Sequence, residues 1–378
     1  MEYGRTRRKG RWGLPLLCLL ASLYGLALIF SATRYDAALH SAASKQAVAL
    51  ALGVGLCLLL SVLPLRTLLD RLWWLLPPVS VGLLLLLVPL GNDDGTGNKS
   101  WIALPGGQFN LQPAEVVKLL FILLLALQLI ALEKKGLDRP VAVLLLGLHA
   151  LALCGLLYGV SGDIGMVVVY LAIYLVMLWS AGVHPLWLLG EVALGLGAVF
   201  LLWSRLPEYV RMRFLVVLDH ELDPLGKGFQ QERSLLAIGS GQLTGQGYLQ
   251  GIQTQSLSAS ALPARHTDFI FSVAGEELGL VGCWAILLLL GGIVLGCILL
   301  ARRADRLLSY TAMGVAGMLG AQTLLNVAMC LYAAPVVGVT LPFFSYGGSS
   351  LIVGFGAVGV LLSLERDGRP GSGRRRRV

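Results

Sequence analysis

The apolar run at residues 269–300, FIFSVAGEELGLVGCWAILLLLGGIVLGCILL, decides the class of fold. Glu276 and Glu277 are its only charged side chains. At about 1.5 Å of rise per residue, a helix of this length crosses a hydrocarbon core of about 30 Å. Because lipid offers the backbone no hydrogen-bond partners, the run predicts a membrane-spanning helix rather than a strand.

Nine further apolar runs are distributed along the chain. The 378 residues are 56% hydrophobic and 13% charged, which excludes a soluble globular protein. We therefore predict an all-α, polytopic membrane protein with about ten spans. They lie at 13–31, 46–63, 72–90, 114–132, 141–159, 164–181, 185–203, 269–300, 307–334 and 342–364.

Basic residues are concentrated in every second segment between the spans. They precede the first span, follow the last one, and recur at Arg66, Arg71, Lys134, Lys135, Arg139, Arg302, Arg303 and Arg306. By the positive-inside rule these segments and both termini are cytoplasmic. We expect a basic N-terminus at 1–12, a single membrane domain at 13–365 with its longest outer loop at 204–267, and a basic tail at 366–378.

The run from Arg374 to Arg377, in a chain of net charge +8, admits a nucleic-acid-binding arm as an alternative. A tail at the membrane surface fits a polytopic protein better, so no nucleic-acid partner is predicted. The first span is long and lacks a small-residue cleavage site, which indicates a retained anchor rather than a signal peptide. All six cysteines lie in apolar runs and are interpreted as small buried residues.

The outer loop at 204–267 mixes Pro, Gly and aromatic residues with amphipathic stretches, so we expect partial order. It leads to Asp268, a carboxylate at the edge of the long apolar run, which Arg265, His266 and Thr267 precede. An acid at this position is either a helix cap or a group that carries out proton chemistry at the membrane surface.

Charged residues also occur at the starts of two other spans. Glu115 and Lys118 are three positions apart and share a helix face. They form either a structural ion pair or a polar patch that lines a substrate cavity, because intramembrane charges face an interior or water-filled space. Asp163 follows Gly162 at the start of the sixth span, where a short acid suits an N-cap.

Two other patterns do not predict sites. The glycines from Gly354 to Gly359 match GxGxxG, but they lie within a span and follow no strand, which favours close helix packing over dinucleotide binding. His184 and His220 are isolated, and no metal-ligand spacing is present, so no metal site is predicted.

Four strings in the chain coincide with one family. They are QPAEVVK at 112–118, DPLGKGFQQERSLLAIGSGQLTGQG at 223–247, HTDFIFSVAGEELGLVG at 266–282 and LPFFSYGGSS at 341–350. In this order they resemble the SEDS (shape, elongation, division and sporulation) family, the RodA and FtsW group of peptidoglycan polymerases. The resemblance covers nearly the whole chain. GIQTQ at 251–255 and Arg265 are more similar to RodA than to FtsW, and a sporulation member is a third possibility.

The resemblance implies a peptidoglycan glycosyltransferase for cell elongation and shape. It would join lipid II, an undecaprenyl-diphosphate disaccharide-pentapeptide, into glycan strands at the outer face of the bacterial cytoplasmic membrane. Asp268 would act as general base on the acceptor sugar hydroxyl, and Arg213, Lys227, Arg233 and Arg265 would meet the diphosphate. The complete set of expected substrate contacts is Trp101, Gln112, Glu115, Lys118, Asp163, Arg213, Lys227, Arg233, Arg265, His266, Thr267, Ser345, Gly347 and Gly348.

The same resemblance implies a class B penicillin-binding protein as partner, beside the membrane lipids. The sequence leaves open whether a divalent cation takes part. Three positions depart from the family pattern and receive no role: Ser100 stands where Arg is frequent, Ser161 where Gln is usual, and Ala264 where an acid is common.

Two other functions are compatible with this composition. A transporter that flips lipid-linked precursors would place its key acid near the membrane midplane, between broken helices. A scaffold would only position a partner enzyme. The predicted location of Asp268 at the outer edge favours an enzyme over the transporter.

Overall fold

The computed structural model describes residues 12–37, 39–92, 99–103, 110–223, 226, 228–258 and 261–368. Ten helical segments in these residues are long and apolar enough to cross a membrane, which confirms the all-α polytopic fold. The helices are α1 Gly13–Thr33, α2 Ala42–Val62, α3 Leu65–Leu72, α4 Leu76–Leu85, α5 Leu87–Leu90, α6 Pro113–Glu133, α7 Pro140–Ser161, α8 Ile164–Ala181, α9 Pro185–Leu202, α10 Glu208–Leu218, α11 Phe229–Gly241, α12 Ile252–Gln255, α13 Ile270–Ala301, α14 Arg306–Cys330 and α15 Gly348–Asp367. Short 3₁₀ turns at Trp73–Leu75 and Trp203–Arg205 follow α3 and α9.

A small antiparallel sheet lies between the third and fourth spans. Its strands are β1 Gly91–Asn92, β2 Trp101–Ala103 and β3 Asn110–Leu111, in the order β1-β2-β3. Asn92 is paired with Trp101, and Ala103 is paired with Asn110. The backbone N–H of Lys99 donates to the carbonyl of Ser161 at 3.2 Å, which joins the residues directly before β2 to the end of α7.

Several predicted spans have different ends in the structure, and the second begins at Ala42 instead of 46. The third begins at Leu65 instead of 72, because the amphipathic α3 and a 3₁₀ turn continue into α4. The ninth ends at Cys330 instead of 334, since Tyr332 has a positive φ of 57°. The tenth begins at Gly348 instead of 342, because turns occupy the preceding residues and Phe343 has a positive φ of 66°.

The longest helix, α13, is broken at Gly279, which the sequence prediction of one regular helix missed. Gly279 has φ 67° and ψ −161°, a conformation that favours glycine. The segment 242–247 supplies the backbone bonds that the break removes: Gln242 and Leu243 accept from Leu280 and Val281 at 2.9 and 3.2 Å. In the other direction, the N–H groups of residues 246 and 247 donate to the carbonyls of residues 276 and 277. The opened backbone is therefore satisfied within the protein.

Helix α15 occupies the centre of the bundle, whereas α9 is peripheral. In the most apolar 18 residues of each span, 78% of the residues are buried for α15 and 6% for α9 with its 3₁₀ turn. At Gly359 an added Cβ would lie 2.7 Å from the carbonyl oxygen of Cys57, so this glycine permits close packing against α2. The six cysteines are all free and buried, as the sequence predicts.

Candidate active site

Asp268 lies in a tight turn immediately before α13. The N–H groups of Thr267 and Phe269 both bond to the carbonyl oxygen of Ala264, at 3.1 and 3.3 Å, and the Thr267 hydroxyl bonds to the same oxygen at 3.1 Å. Ala264 has a positive φ of 46°, which is unfavourable for a residue with a side chain. The turn leaves Asp268 half-buried, so it is partly desolvated yet open on one side.

Asn326 connects Asp268 to the segment that follows α14. Its fully buried side-chain amide donates to the carbonyl oxygens of Asp268 and Val339, each at 2.8 Å. Beside Val339, Gly338 has φ 68°, and a Cβ built on it would lie 3.9 Å from Oδ2 of Asp268. The carboxylate thus faces the segment 334–341 at a position where that segment has no side chain.

Residues of the segment 341–347 also donate hydrogen bonds to the turn that carries Asp268. The Ser345 hydroxyl donates to the carbonyl of Thr267 at 2.6 Å, and the Tyr346 N–H donates to the carbonyl of His266 at 2.8 Å. The rings of His266 and Tyr346 also contact each other, with centroids 5.6 Å apart. These bonds fix the backbone that carries Asp268.

Gln46 of α2 holds the segment 345–347 in turn. Its amide nitrogen donates to the carbonyl of Ser345 at 3.1 Å, and its oxygen accepts from the N–H of Gly347 at 3.2 Å. Gly347 precedes Gly348, the first residue of α15. Ser345, Gly347 and Gly348 therefore belong to the framework around the Asp268 turn.

Arg265 and His266 are constrained by burial. The Arg265 guanidinium donates to the carbonyls of Ala32 and Ser256 at 2.9 and 2.7 Å, and burial lowers its pKa. Burial and the neighbouring Arg265 cation lower the pKa of His266 to about 4. His266 is accordingly neutral near pH 7, and Arg265 joins the turn to the end of α1.

A second polar cluster gathers residues at the starts of β2, α6 and α8. Oδ1 of Asp163 accepts from the N–H of Met166 at 2.9 Å and caps α8. Its Oδ2 accepts from the Gln112 amide at 3.3 Å and from the Ser100 hydroxyl at 3.5 Å. Burial raises the pKa of Asp163 to about 6, and the Glu115 carboxylate adds to the shift. Trp101 follows Ser100 in β2 and is half-buried.

Glu115 and Lys118 form a buried ion pair next to this cluster. Lys118 Nζ lies 2.8 Å from Glu115 Oε2, and the two side chains are 0% and 5% exposed. Glu115 also borders a cavity of about 10 Å³ between α6, α14 and α15, about the space that one water molecule needs. Gln112 bridges to the framework around Asp268, because its N–H donates to the hydroxyl of Ser349 at 3.2 Å.

Glu276 and Glu277 have fully buried side chains that bind backbone and side-chain donors of α12. Glu276 accepts from the N–H groups of Gln253 and Thr254 at 2.7 and 2.8 Å, and from the Thr254 hydroxyl at 2.6 Å. Glu277 accepts from the Ser31 hydroxyl and the Gln255 amide, both at 2.7 Å. Both carboxylates therefore anchor α12, and Glu277 also ties it to α1.

Two of the remaining cationic candidates lie on helices of the segment 204–267. Arg213 is half-buried on α10, and Arg233 lies on α11 with its guanidinium 5.2 Å from the centre of the Phe229 ring. Lys227 falls outside the described residues. Among the residues that the structure describes, no group of three or more His, Cys, Asp or Glu side chains could hold a metal ion.

The structure brings Asp268, His266, Thr267, Ser345 and Gly347 into one framework, and Gln112, Glu115, Lys118 and Asp163 into an adjoining one. Asn326 and Gln46 belong to the first framework but were not predicted from the sequence. A signal for Asn326 was available, because an amide within an apolar span requires internal partners. Gln46 is the first residue of a predicted span. The residues that it binds, near 345, are so far away along the chain that no local sequence pattern predicts the contact.

These features define a class: a polytopic helical membrane protein with a half-buried carboxylate held between the start of one span and the link between two others. The chain belongs to the SEDS family, since the family model for FtsW, RodA and SpoVE, described as cell cycle protein, matches residues 11–369.

Individual relatives agree with this assignment. The chain is 35% identical to the probable peptidoglycan glycosyltransferase FtsW of Thioalkalivibrio sp. (strain K90mix), covering 94% of this chain and 89% of that protein. The crystal structure of the Rod shape determining protein RodA of Thermus thermophilus is similar, with 31% identity, a TM-score of 0.69, and coverage of 95% and 97%. A structure concerned with coordination of polymerization and crosslinking by a peptidoglycan synthase complex gives 35% identity, a TM-score of 0.76, and coverage of 94% and 98%.

Proposed function

We propose that this chain is a peptidoglycan glycosyltransferase that polymerises lipid II at the outer face of the bacterial cytoplasmic membrane, with Asp268 as general base. Relatives that span almost the same length carry the name of this activity, which supports the reaction class. The observation that carries the residue assignment is the half-buried Asp268 carboxylate opposite Gly338.

In the proposed mechanism, the acceptor sugar 4-hydroxyl hydrogen-bonds to Asp268 and gives up its proton as the oxygen attacks the anomeric carbon of the donor. The bond from that carbon to the lipid diphosphate breaks, and the diphosphate leaves with the electron pair. Cationic side chains of the outer loop, among them Arg213 and Arg233, stabilise the negative charge that develops there. The hydrogen bonds of Arg265 to backbone carbonyls support a structural contribution from that residue instead.

The charge pattern supports the orientation. With both termini cytoplasmic, alternation of ten spans puts the Asp268 turn and the loop at 204–267 outside. A cysteine introduced at the exposed Glu221 should then react with a membrane-impermeant maleimide in intact cells, because the six native cysteines are buried. Labelling only after the cells are opened would reverse the orientation.

The alternative of a lipid transporter predicts a site at a broken helix. Helix α13 is broken at Gly279, but backbone bonds from 242–247 close the break, and the adjacent glutamates are bound to α12. This arrangement favours the enzyme, because the backbone groups that bond across the break and both glutamates beside it already have partners within the protein.

The roles in elongation and in division remain two proposals within one activity. The GIQTQ string and the solved structure of RodA support elongation, whereas the relative named FtsW supports division. Complementation of depletion strains for each process separates them, since rescue of rod shape and rescue of septation are scored independently.

The decisive experiment for the activity uses purified protein in lipid vesicles with lipid II, with and without a class B penicillin-binding protein. We expect wild type to make glycan strands and Asp268→Asn to make none while retaining its melting temperature. The control is Asp219→Asn, an exposed outer-loop acid. Polymer from Asp268→Asn at the wild-type rate removes Asp268 from catalysis, and no polymer from wild type with any partner supports the scaffold.

A further inference from the structure

We propose that Asn326 is a positioning residue of this site: it sets where the Asp268 carboxylate stands relative to Gly338, and thereby the geometry in which a sugar hydroxyl loses its proton. The inference rests on the proposed role of Asp268 as base. It concerns a residue near the C-terminal end of α14, 58 positions from Asp268 and 13 positions from Val339.

The direction of the two Asn326 hydrogen bonds carries the proposal. A polar side chain in a membrane helix commonly bonds back to its own helix, as the hydroxyl of Thr323 does to Leu319 at 2.7 Å. Both N–H groups of Asn326 instead leave α14, for the carbonyls of Asp268 and Val339. One rigid, fully buried amide thus fixes two separate backbone segments at 2.8 Å each.

The other contacts of the turn do not replace this function. Ser345 and Tyr346 bind the carbonyls of Thr267 and His266, which precede Asp268. The Cys330 thiol also donates to the Asp268 carbonyl at 3.6 Å, but a thiol is a weak donor, and Cys330 lies on the same helix as Asn326. Helix α14 therefore holds the backbone of Asp268 itself, and Asn326 supplies the stronger of these two bonds.

Asn326 also determines what lies opposite the carboxylate. Its bond to Val339 holds the residue next to Gly338, whose missing side chain leaves space 3.9 Å from Asp268 Oδ2. Without Asn326 the two carbonyls lose their common partner, and the segments on each side of that space can move apart. Because misplacement of a base by about 1 Å can cost about a hundredfold in rate, the chemical step is the one expected to suffer.

The test compares Asn326→Leu, which keeps the approximate volume and removes both donors, with Thr323→Val on the same helix. Lipid II polymerisation in vesicles is measured over a range of substrate concentrations, with the melting temperature and the binding of labelled lipid II. For Asn326→Leu we expect kcat to fall about tenfold or more, with KM and lipid II binding within about threefold of wild type. Thr323→Val should match wild type throughout.

The outcomes separate this inference from the proposed function. If Asn326→Leu polymerises at the wild-type rate while Asp268→Asn is inactive, the proposal that Asp268 is the general base is retained, and the positioning role of Asn326 is wrong. If Asp268→Asn is active, both proposals fall. A loss confined to KM would make Asn326 a binding determinant and overturn the inference. If Asn326→Leu does not fold, Asn326→Ser decides, because it retains one donor: an intermediate kcat supports positioning, and a wild-type kcat refutes it.

Discussion

Lys118 Nζ lies 2.8 Å from Glu115 Oε2, one helical turn away on α6, and both side chains are almost fully withdrawn from solvent. Breaking a buried pair leaves an uncompensated charge, at a cost of roughly 3–5 kcal/mol. The pair is therefore sensitive to loss of either partner, even though its net contribution to stability is small compared with an apolar substitute.

We predict that Glu115→Ala and Lys118→Ala each lower the melting temperature by several degrees and impair polymerisation. If the two residues act as a pair, the exchanged variant Glu115→Lys with Lys118→Glu should recover part of the melting temperature and part of the polymerisation activity. The control is Glu133→Gln, which removes a more exposed ion pair to Arg306 and should change little. Silent single variants would show the pair to be dispensable.

Asp163 makes stability depend on pH. Its pKa is raised from 3.8 to about 6 in the folded protein, so the folded state holds a proton that the unfolded state releases between these values. The associated stabilisation is complete below about pH 4, is lost as the pH rises through about 6, and amounts to roughly 3 kcal/mol. In Asp163→Asn this dependence should be absent. The free energy of unfolding of both proteins is measured by chemical unfolding from pH 4 to pH 8. The same pH dependence in wild type and Asp163→Asn would contradict the prediction.

Glu276 accepts three hydrogen bonds from residues 253 and 254. We predict that Glu276→Leu destabilises the protein and loosens α12, because each buried donor left without a partner costs about 1–3 kcal/mol. Hydrogen exchange of residues 251–255 measures the effect, with Glu232→Gln on the exposed face of α11 as control. Unchanged protection at 251–255 would mean that other contacts suffice to hold this segment.

Gly338→Ala should lower kcat strongly. The added methyl would stand 3.9 Å from Asp268 Oδ2, in the space assigned to the acceptor hydroxyl, and φ 68° adds backbone strain. Gly136→Ala is the matched control: Gly136 has φ 91°, the atoms nearest to a Cβ built on it belong to the Arg139 side chain, and it lies on the opposite side of the membrane in the proposed orientation. Both variants should lose comparable stability, whereas only Gly338→Ala should lose activity. Equal activities would place the acceptor elsewhere.

The sequence predicted those features that depend on composition or local spacing. Ten spans follow from apolar runs, and the pairing of Glu115 with Lys118 follows from their separation by one turn. The break at Gly279 could not be predicted in this way, because its backbone partners lie at 242–247, in a loop with no fixed spacing to the helix. The same reason explains why the contacts of Glu276 and Glu277, whose carboxylates bind α12, could not be predicted from the sequence.

The hydrogen bonds from residues 242–247 that bridge the break in α13 have a consequence for how the protein is inserted into the membrane. These residues precede α13 in the chain, so in the proposed orientation they would be translocated before the helix is inserted. The donors and acceptors that complete the broken turn at Gly279 would then already be on the outer side when this turn enters the bilayer. We expect this order of synthesis to limit the exposure of unbonded peptide groups of α13 to lipid. A circular permutant that placed 242–247 after α13 would reverse this order and should insert poorly, although its final contacts would be the same.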